Sequence, residues 1–134
     1  MPPSLKSVLA SLAIEPSRDE CDAVENRLPG AFAGLGAIRR DSVVEVDASE
    51  LIPSEIGDWL ASLPIQRDAV IQVAWIADRL GATMRFATLI DNVDDLWFPA
   101  MDDVVALLDS PGALDVLVLD HEERFTLSRV TSLS

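Results

Sequence analysis

The spacing of apolar residues changes along the chain, from a helical period before Pro64 to a strand-like period after it. In the first part, apolar residues recur at i, i+3, i+4 and i+7, the spacing that gathers them on one face of a helix. Ser4 and Ser17 are good N-cap residues for two of these predicted helices, and Pro53 suits the first turn of a third. The pattern predicts helices over residues 4–13, 17–28 and 53–63.

Further segments have the β-branched content or the alternation that is typical of strands. A type I turn over 78–81, with Gly81 in the left-handed position, is predicted to close a hairpin, and the polar turn 121–123 to close another. Residues 101–109 fit a helix behind Pro99 or a strand before a tight turn, and the strand is favoured. The other predicted strands are 42–48, 69–77, 82–90, 114–120 and 124–130.

Helices followed by strands predict an α+β fold, with N-terminal helices packed on a C-terminal antiparallel β-sheet. The 134 residues are close to the usual size of one domain, so a single domain over 1–134 is expected. No apolar run approaches the roughly 20 residues of a membrane span, and Ser7 and Ser11 interrupt the N-terminal stretch that could be taken for a signal peptide. A lone Cys21 gives no internal disulfide. We therefore expect a soluble cytoplasmic protein.

The net charge of −13 narrows the choice of partners. A strongly negative surface repels nucleic acid phosphates and anionic lipid, so direct binding to nucleic acid or to a membrane is not expected, whereas basic proteins are attracted. Simple solubility is the plainer explanation of the total charge. The distribution is more informative, because no Lys or Arg occurs from Phe86 through Glu123 while ten acidic residues do. Apolar residues run through this block, so it should fold and produce a focused negative field.

The most acidic stretch, DNVDDLWFPAMDD at 91–103, does not have the pattern of a calcium loop. An EF-hand loop needs a ligand at its third position and Gly at its sixth, and counting from Asp91 these positions hold Val93 and Leu96. His121 also lies among carboxylates, but the chain has no second His to complete a zinc site. No metal or other cofactor is expected.

The sequence contains no clear catalytic motif. Cys21 falls on the apolar face of the predicted helix 17–28, which favours a buried and inert thiol. There is no Gly-x-Ser-x-Gly nucleophile elbow and no phosphate-binding Gly-Lys-Ser/Thr sequence. An enzyme is therefore not expected, and recognition of another protein is the remaining class.

The aromatic residues allow two interpretations of the acidic stretch. Trp59 and Trp75 lie on apolar faces of predicted elements and are expected in the core. Trp97 and Phe98 are set among aspartates in a predicted connection between strands. They are either a hydrophobic plug that pins this connection to the sheet or the apolar anchor of a protein interface, since aromatic residues within a polar rim are typical of binding hot spots.

The sequence Asp-Asp-Leu-Trp-Phe-Pro (94–99), the pair 102–103 and the sequence Asp-His-Glu-Glu (120–123) before a last strand resemble the immunity proteins of bacterial polymorphic-toxin and contact-dependent-inhibition systems. The resemblance covers about residues 65–130. It implies a protein that binds a cognate toxin domain and blocks its active site or an essential neighbouring surface. Such toxins are often basic nucleases or nucleic-acid deaminases, which an acidic partner can occlude by imitating the phosphate backbone.

The alternative is an acidic secretion chaperone or adaptor that holds a segment of an effector, because small acidic α+β proteins of that kind share this composition. The oligomeric state is left open. On either interpretation the acidic residues and the aromatic pair form the binding surface. The expected partner-binding residues are Asp91, Asp94, Asp95, Trp97, Phe98, Asp102, Asp103, Asp120, Glu122 and Glu123.

Overall fold

The computed structural model describes residues 4–97 and 103–131, which form a six-stranded antiparallel sheet with helices on both faces. The helices are α1 (Leu5–Ser11), α2 (Arg18–Arg27), α3 (Leu35–Arg40), α4 (Pro53–Ala61) and α5 (Phe86–Leu96), with short 3₁₀ helices at Ala31–Gly34 and Ala48–Glu50. The strands are β1 (Val44–Asp47), β2 (Val70–Trp75), β3 (Leu80–Arg85), β4 (Val104–Ser110), β5 (Ala113–Leu119) and β6 (Arg124–Thr131).

The predicted α+β fold is confirmed, with most helices before most strands. The three predicted helices, which correspond to α1, α2 and α4, start where the sequence indicates. Ser4 accepts a hydrogen bond from the N–H of Ser7 at 3.2 Å, and Ser17 accepts one from the N–H of Glu20 at 3.1 Å. The favoured strand within 101–109 is also confirmed, since β4 begins at Val104. The bonds that cap these helices join residues only three positions apart, so the local sequence is enough to predict them.

The predicted strand over 82–90 is wrong in its second half. β3 ends at Arg85, and the Phe86 N–H donates to the Ala69 carbonyl at 2.8 Å as the chain turns into α5. The alternating pattern was overridden by a helical stripe, whose burial against the sheet stabilises the helix. The stripe consists of Phe86, Leu89, Ile90, Val93 and Leu96, all buried.

The predicted role of Gly81 is also wrong. Arg79, with φ 53°, takes the left-handed position, and Gly81 lies inside β3. Gly81 exchanges two backbone hydrogen bonds of 2.9 Å with Ser17, and a Cβ atom at Gly81 would lie 2.4 Å from the Cys21 nitrogen. This position requires glycine because the backbone of α2 crosses β3 there at close range.

The sheet has the strand order β1-β6-β5-β4-β2-β3 and both of its faces are covered. Residues of α1, α4 and α5 pack on one face, and residues of α2, the first 3₁₀ helix and α3 pack on the other. Alternate residues of β4 therefore enter different cores, with Val104 in one and Val105 in the other. Within the described ranges, no helix has the length and apolar content needed to cross a membrane.

Candidate partner-binding surface

An open groove of about 460 Å³ lies between α4 and α5, and we call it the α4–α5 groove. Small and apolar residues of both helices form part of its lining, among them Gly57 and Ile90. Three exposed acids, Asp58, Asp91 and Asp94, also line it. Apolar lining with carboxylates nearby suits a Lys or Arg side chain, whose aliphatic stem can be buried while its charged head meets a carboxylate.

The acids of α5 are exposed because its apolar stripe faces the sheet. Asp91, Asp94 and Asp95 occupy positions i, i+3 and i+4 on the solvent side of the helix. Anions near the carboxyl end of a helix oppose its dipole. The last turn contains no basic residue to offset them. These acids therefore lower the stability of the helix that carries them.

The helix bends between these acids at Asn92, whose φ of −127° and ψ of 16° are not helical. The Asn92 side-chain amide donates to the Thr88 carbonyl at 2.8 Å, four residues back. A side chain inserted into the helical hydrogen-bond ladder is a known cause of such bends. The bend separates Asp91 from the final turn, which carries Asp94 and Asp95.

Trp97 belongs to the core, as the plug interpretation expects, and its side chain is not exposed as an interface anchor would be. Its side chain is only 3% exposed, and its ring meets the Phe125 ring edge-on, with centroids 4.7 Å apart. Next to it, the buried Trp75 donates its indole N–H to the Leu96 carbonyl at 2.7 Å. The final turn of α5 is therefore fixed to the sheet. Phe98 and Asp102 lie outside the described residues.

A second group of predicted residues meets at one end of the sheet, where β5 leads into β6. We call this region the acidic end and define it by Asp103 and residues 120–123. Asp103 Oδ1 accepts the His121 backbone N–H at 3.0 Å and lies 2.8 Å from His121 Nδ1. The hydrogen bond that His121 donates to Asp103 raises the pKa of His121, and the charges of Asp103, Asp120 and Glu122 raise it further.

Asp120, predicted as a partner contact, is buried and paired within the protein. It is 8% exposed and forms an ion pair with Arg39 of α3. Burial alone would raise the pKa of Asp120, but hydrogen bonds from the Glu122 N–H and the Arg39 guanidinium hold it below the ordinary value. The carboxylate therefore attaches α3 to the sheet and is not offered to another molecule.

The acidic end is poorly suited to a metal. Asp103, Asp120 and His121 each bring one ligand atom to within 4.8 Å of the others. However, Asp120 Oδ1 accepts the Glu122 N–H at 2.7 Å, and Oδ2 pairs with Arg39. A metal would have to displace these hydrogen bonds, and the ligand set holds only one His, fewer than most zinc sites use.

The predicted one-sign block is interrupted in space by arginines from other parts of the chain. Asp91 pairs with Arg67 at 3.2 Å, and the buried Asp115 pairs with Arg129 of the next strand at 2.8 Å. Asp109 likewise pairs with Arg27. Among the acids of this block that the structure describes, Asp94, Asp95 and Glu123 form no ion pair, and the Glu122 carboxylate lies 3.9 Å from His121 Nε2.

Among the residues of the α4–α5 groove that the sequence did not indicate, two are charged, Asp58 and Arg67. Asp58 could have been found, because it lies off the apolar stripe of α4 and must face solvent. No local sequence pattern indicates a role for Arg67, since its partner Asp91 is 24 residues away. The chain matches no protein-family model, and no match was found among the curated proteins or the solved structures compared with it.

Proposed function

We propose that this protein is a cytoplasmic immunity protein that binds a basic bacterial toxin domain and neutralises it by occlusion. The observation that carries the proposal is the set of three acids, Asp91, Asp94 and Asp95, on the solvent face of α5. Contacts of the buried Trp75 and Trp97 tie the final turn of this helix to the sheet, so Asp94 and Asp95 are presented on an anchored turn. A preorganised charged surface loses little entropy on binding.

The proposed mechanism uses charge for the encounter and the α4–α5 groove for the bound state. The negative field attracts a basic domain and speeds its association. Lys or Arg side chains of the toxin then enter the groove. Arg67 does not prevent this, because its pair with Asp91 is exposed, at 56% and 61% of the two side chains. Exposed pairs contribute little stability, so a cation of the partner can replace Arg67.

Inhibition is stoichiometric on this proposal. The bound immunity protein covers the toxin's active site or an adjoining surface, and no reaction of the immunity protein is required. If the toxin acts on nucleic acid, the aspartates of α5 occupy positions that phosphates would otherwise take. The same field that attracts the toxin repels nucleic acid itself, so the proposed partner is a protein.

The test is inhibition of the toxin domain encoded beside this protein. Asp94→Lys with Asp95→Lys should weaken its binding by roughly one to two orders of magnitude at low salt and reduce the salt dependence, because two charges at the contact are reversed. The matched control is Glu15→Lys with Asp19→Lys, which changes the net charge equally at two exposed acids outside the groove. The control should retain most of the affinity.

Two outcomes would contradict the proposal. Equal loss of affinity in both double variants would indicate a general effect of net charge instead of a contact at α5. Tight binding without inhibition of the toxin's activity would favour the secretion chaperone or adaptor, which holds its partner without blocking it.

A further inference from the structure

The two outer strands of the sheet differ in how their free edges are covered. The edge of β3 is covered, since Ser17 pairs with Gly81 through two hydrogen bonds of 2.9 Å and Glu20 accepts one from the Thr83 hydroxyl at 3.0 Å. On the other side, β1 pairs with β6, and no other described strand pairs with β1. The outer edge of β1 is thus the open edge of the described sheet.

The register shows which backbone groups line this edge. Ala48 donates to the Glu123 carbonyl at 2.7 Å in line with the β1–β6 ladder, in which Val46 lies opposite Phe125. Hydrogen bonds alternate along an antiparallel strand, so Val46 faces β6 and the N–H and C=O of Glu45 point away from it. Outward-facing backbone groups of this kind can pair with another strand.

The side chains around the edge indicate what kind of strand would fit. Val43 and Ile52, exposed by 68% and 61%, lie before and after the segment that contains β1. Exposed acids lie between them at Glu45, Asp47 and Glu50. Arg124 neutralises part of this charge through a 3.0 Å pair with Glu45, in which both side chains are about half exposed or more. Apolar contacts at the ends and carboxylates between them favour a partner segment with Lys or Arg and apolar residues.

We propose that the outer edge of β1 accepts an extended, Lys- or Arg-containing segment of the partner protein as a seventh strand. The basic character of that segment rests on the proposed function, while the open edge does not. Main-chain hydrogen bonds would supply binding, and cross-strand contacts with Glu45 and Asp47 would supply selectivity. A second copy of the chain is disfavoured there, because antiparallel self-pairing brings Glu45 and Asp47 of both copies together and like charges across strands repel.

The test uses a short synthetic peptide of alternating Lys and Val with the full-length, isotope-labelled protein. The peptide should slow hydrogen exchange of the Glu45 amide by roughly tenfold or more, because that N–H gains a hydrogen bond. A peptide of the same sequence, N-methylated at the positions that would pair with β1, keeps its charge but cannot form the ladder. It should leave the exchange rate unchanged. Glu45→Lys with Asp47→Lys should abolish protection, while Glu15→Lys with Asp19→Lys should preserve it.

Three results would overturn the edge proposal. These are equal protection by both peptides, protection confined to α5, and a peptide-free dimer in which the Glu45 amide is already protected. The assay needs no toxin, so its outcome is separable from that of the proposed function. Failed toxin inhibition with a protected Glu45 would refute the immunity function alone, whereas inhibition without protection would refute the edge alone.

Discussion

Asp94 and Asp120 have the same side chain, but one lies in solvent and the other in the protein interior. Asp94 is exposed on α5 beside other acids, while Asp120 is buried and paired with Arg39. The sequence placed both in one acidic block, and nothing local separates them, because Arg39 lies 81 residues from Asp120. Trp97 illustrates the same limit, since aspartates flank its short apolar segment in sequence but its ring packs on Phe125. Residue roles that depend on such distant contacts could not be predicted.

Replacing Asp120 should reveal its structural role. Asp120→Ala leaves the half-buried Arg39 without its carboxylate and should lower the free energy of unfolding by about 2 kcal/mol at neutral pH. The folded-state pKa of Asp120 lies below the ordinary 3.8, so its contribution is present above pH 3.8 and is lost as pH falls through the folded-state pKa. Urea unfolding at several pH values measures this difference. Asp95→Ala is the exposed control and should cost no stability. An equal effect of both substitutions would contradict the pairing.

At the scale of elements, α5 shows where pattern reasoning succeeded and failed. The apolar stripe that begins at Phe86 was visible in the sequence, but the β-branched and alternating residues before it favoured a strand. Whether residues 86–90 form a strand or a helix depends on where β3 ends. That end is set by contacts between residues distant in sequence, such as the hydrogen bond from the Phe86 N–H to the Ala69 carbonyl. Caps, by contrast, use neighbours in sequence, so the starts of α1 and α2 were predictable.

The crossing of α2 over β3 gives an element-scale prediction. Gly81→Ala places a methyl group against the α2 backbone and should destabilise the protein by about 3 kcal/mol, because neither backbone can easily move. Gly36→Ala is the matched control, since a Cβ there would meet nothing within 4 Å. The control should be neutral or stabilising, as is usual for Gly→Ala in a helix. Thermal unfolding of both variants measures the difference, and a Gly81→Ala protein as stable as the control would refute the close crossing.

The acids of α5 should oppose stability while they serve binding. Asp94→Lys with Asp95→Lys removes two anions from the carboxyl end of the helix and places cations there, where they suit the helix dipole. The double variant should therefore raise the free energy of unfolding by about 0.5 kcal/mol, as measured by urea unfolding. A loss of stability would indicate that these carboxylates have stabilising partners within the fold.

For the whole molecule, the fold class was predictable from the order of helical and strand patterns, but the strand order and the coverage of both faces were not. The strand order decides that β1 is an outer strand and that α5 lies against the sheet. Folding also redistributes the charge, because Arg27, Arg67 and Arg129 reach acids of the block that contains no cation in sequence. The net charge of −13 remains, but within this block the ion pairs leave Asp94 and Asp95 as unpaired acids on the surface of α5.

The most direct test is a titration of the neighbouring toxin's activity with three proteins at low and moderate salt: the native chain, Asp94→Lys with Asp95→Lys, and Glu15→Lys with Asp19→Lys. We expect stoichiometric inhibition by the native protein and the control. Inhibition by the α5 variant should be weaker by roughly one to two orders of magnitude and less sensitive to salt. Full inhibition by the α5 variant, despite its increased stability, would contradict the central claim that these aspartates contact the toxin.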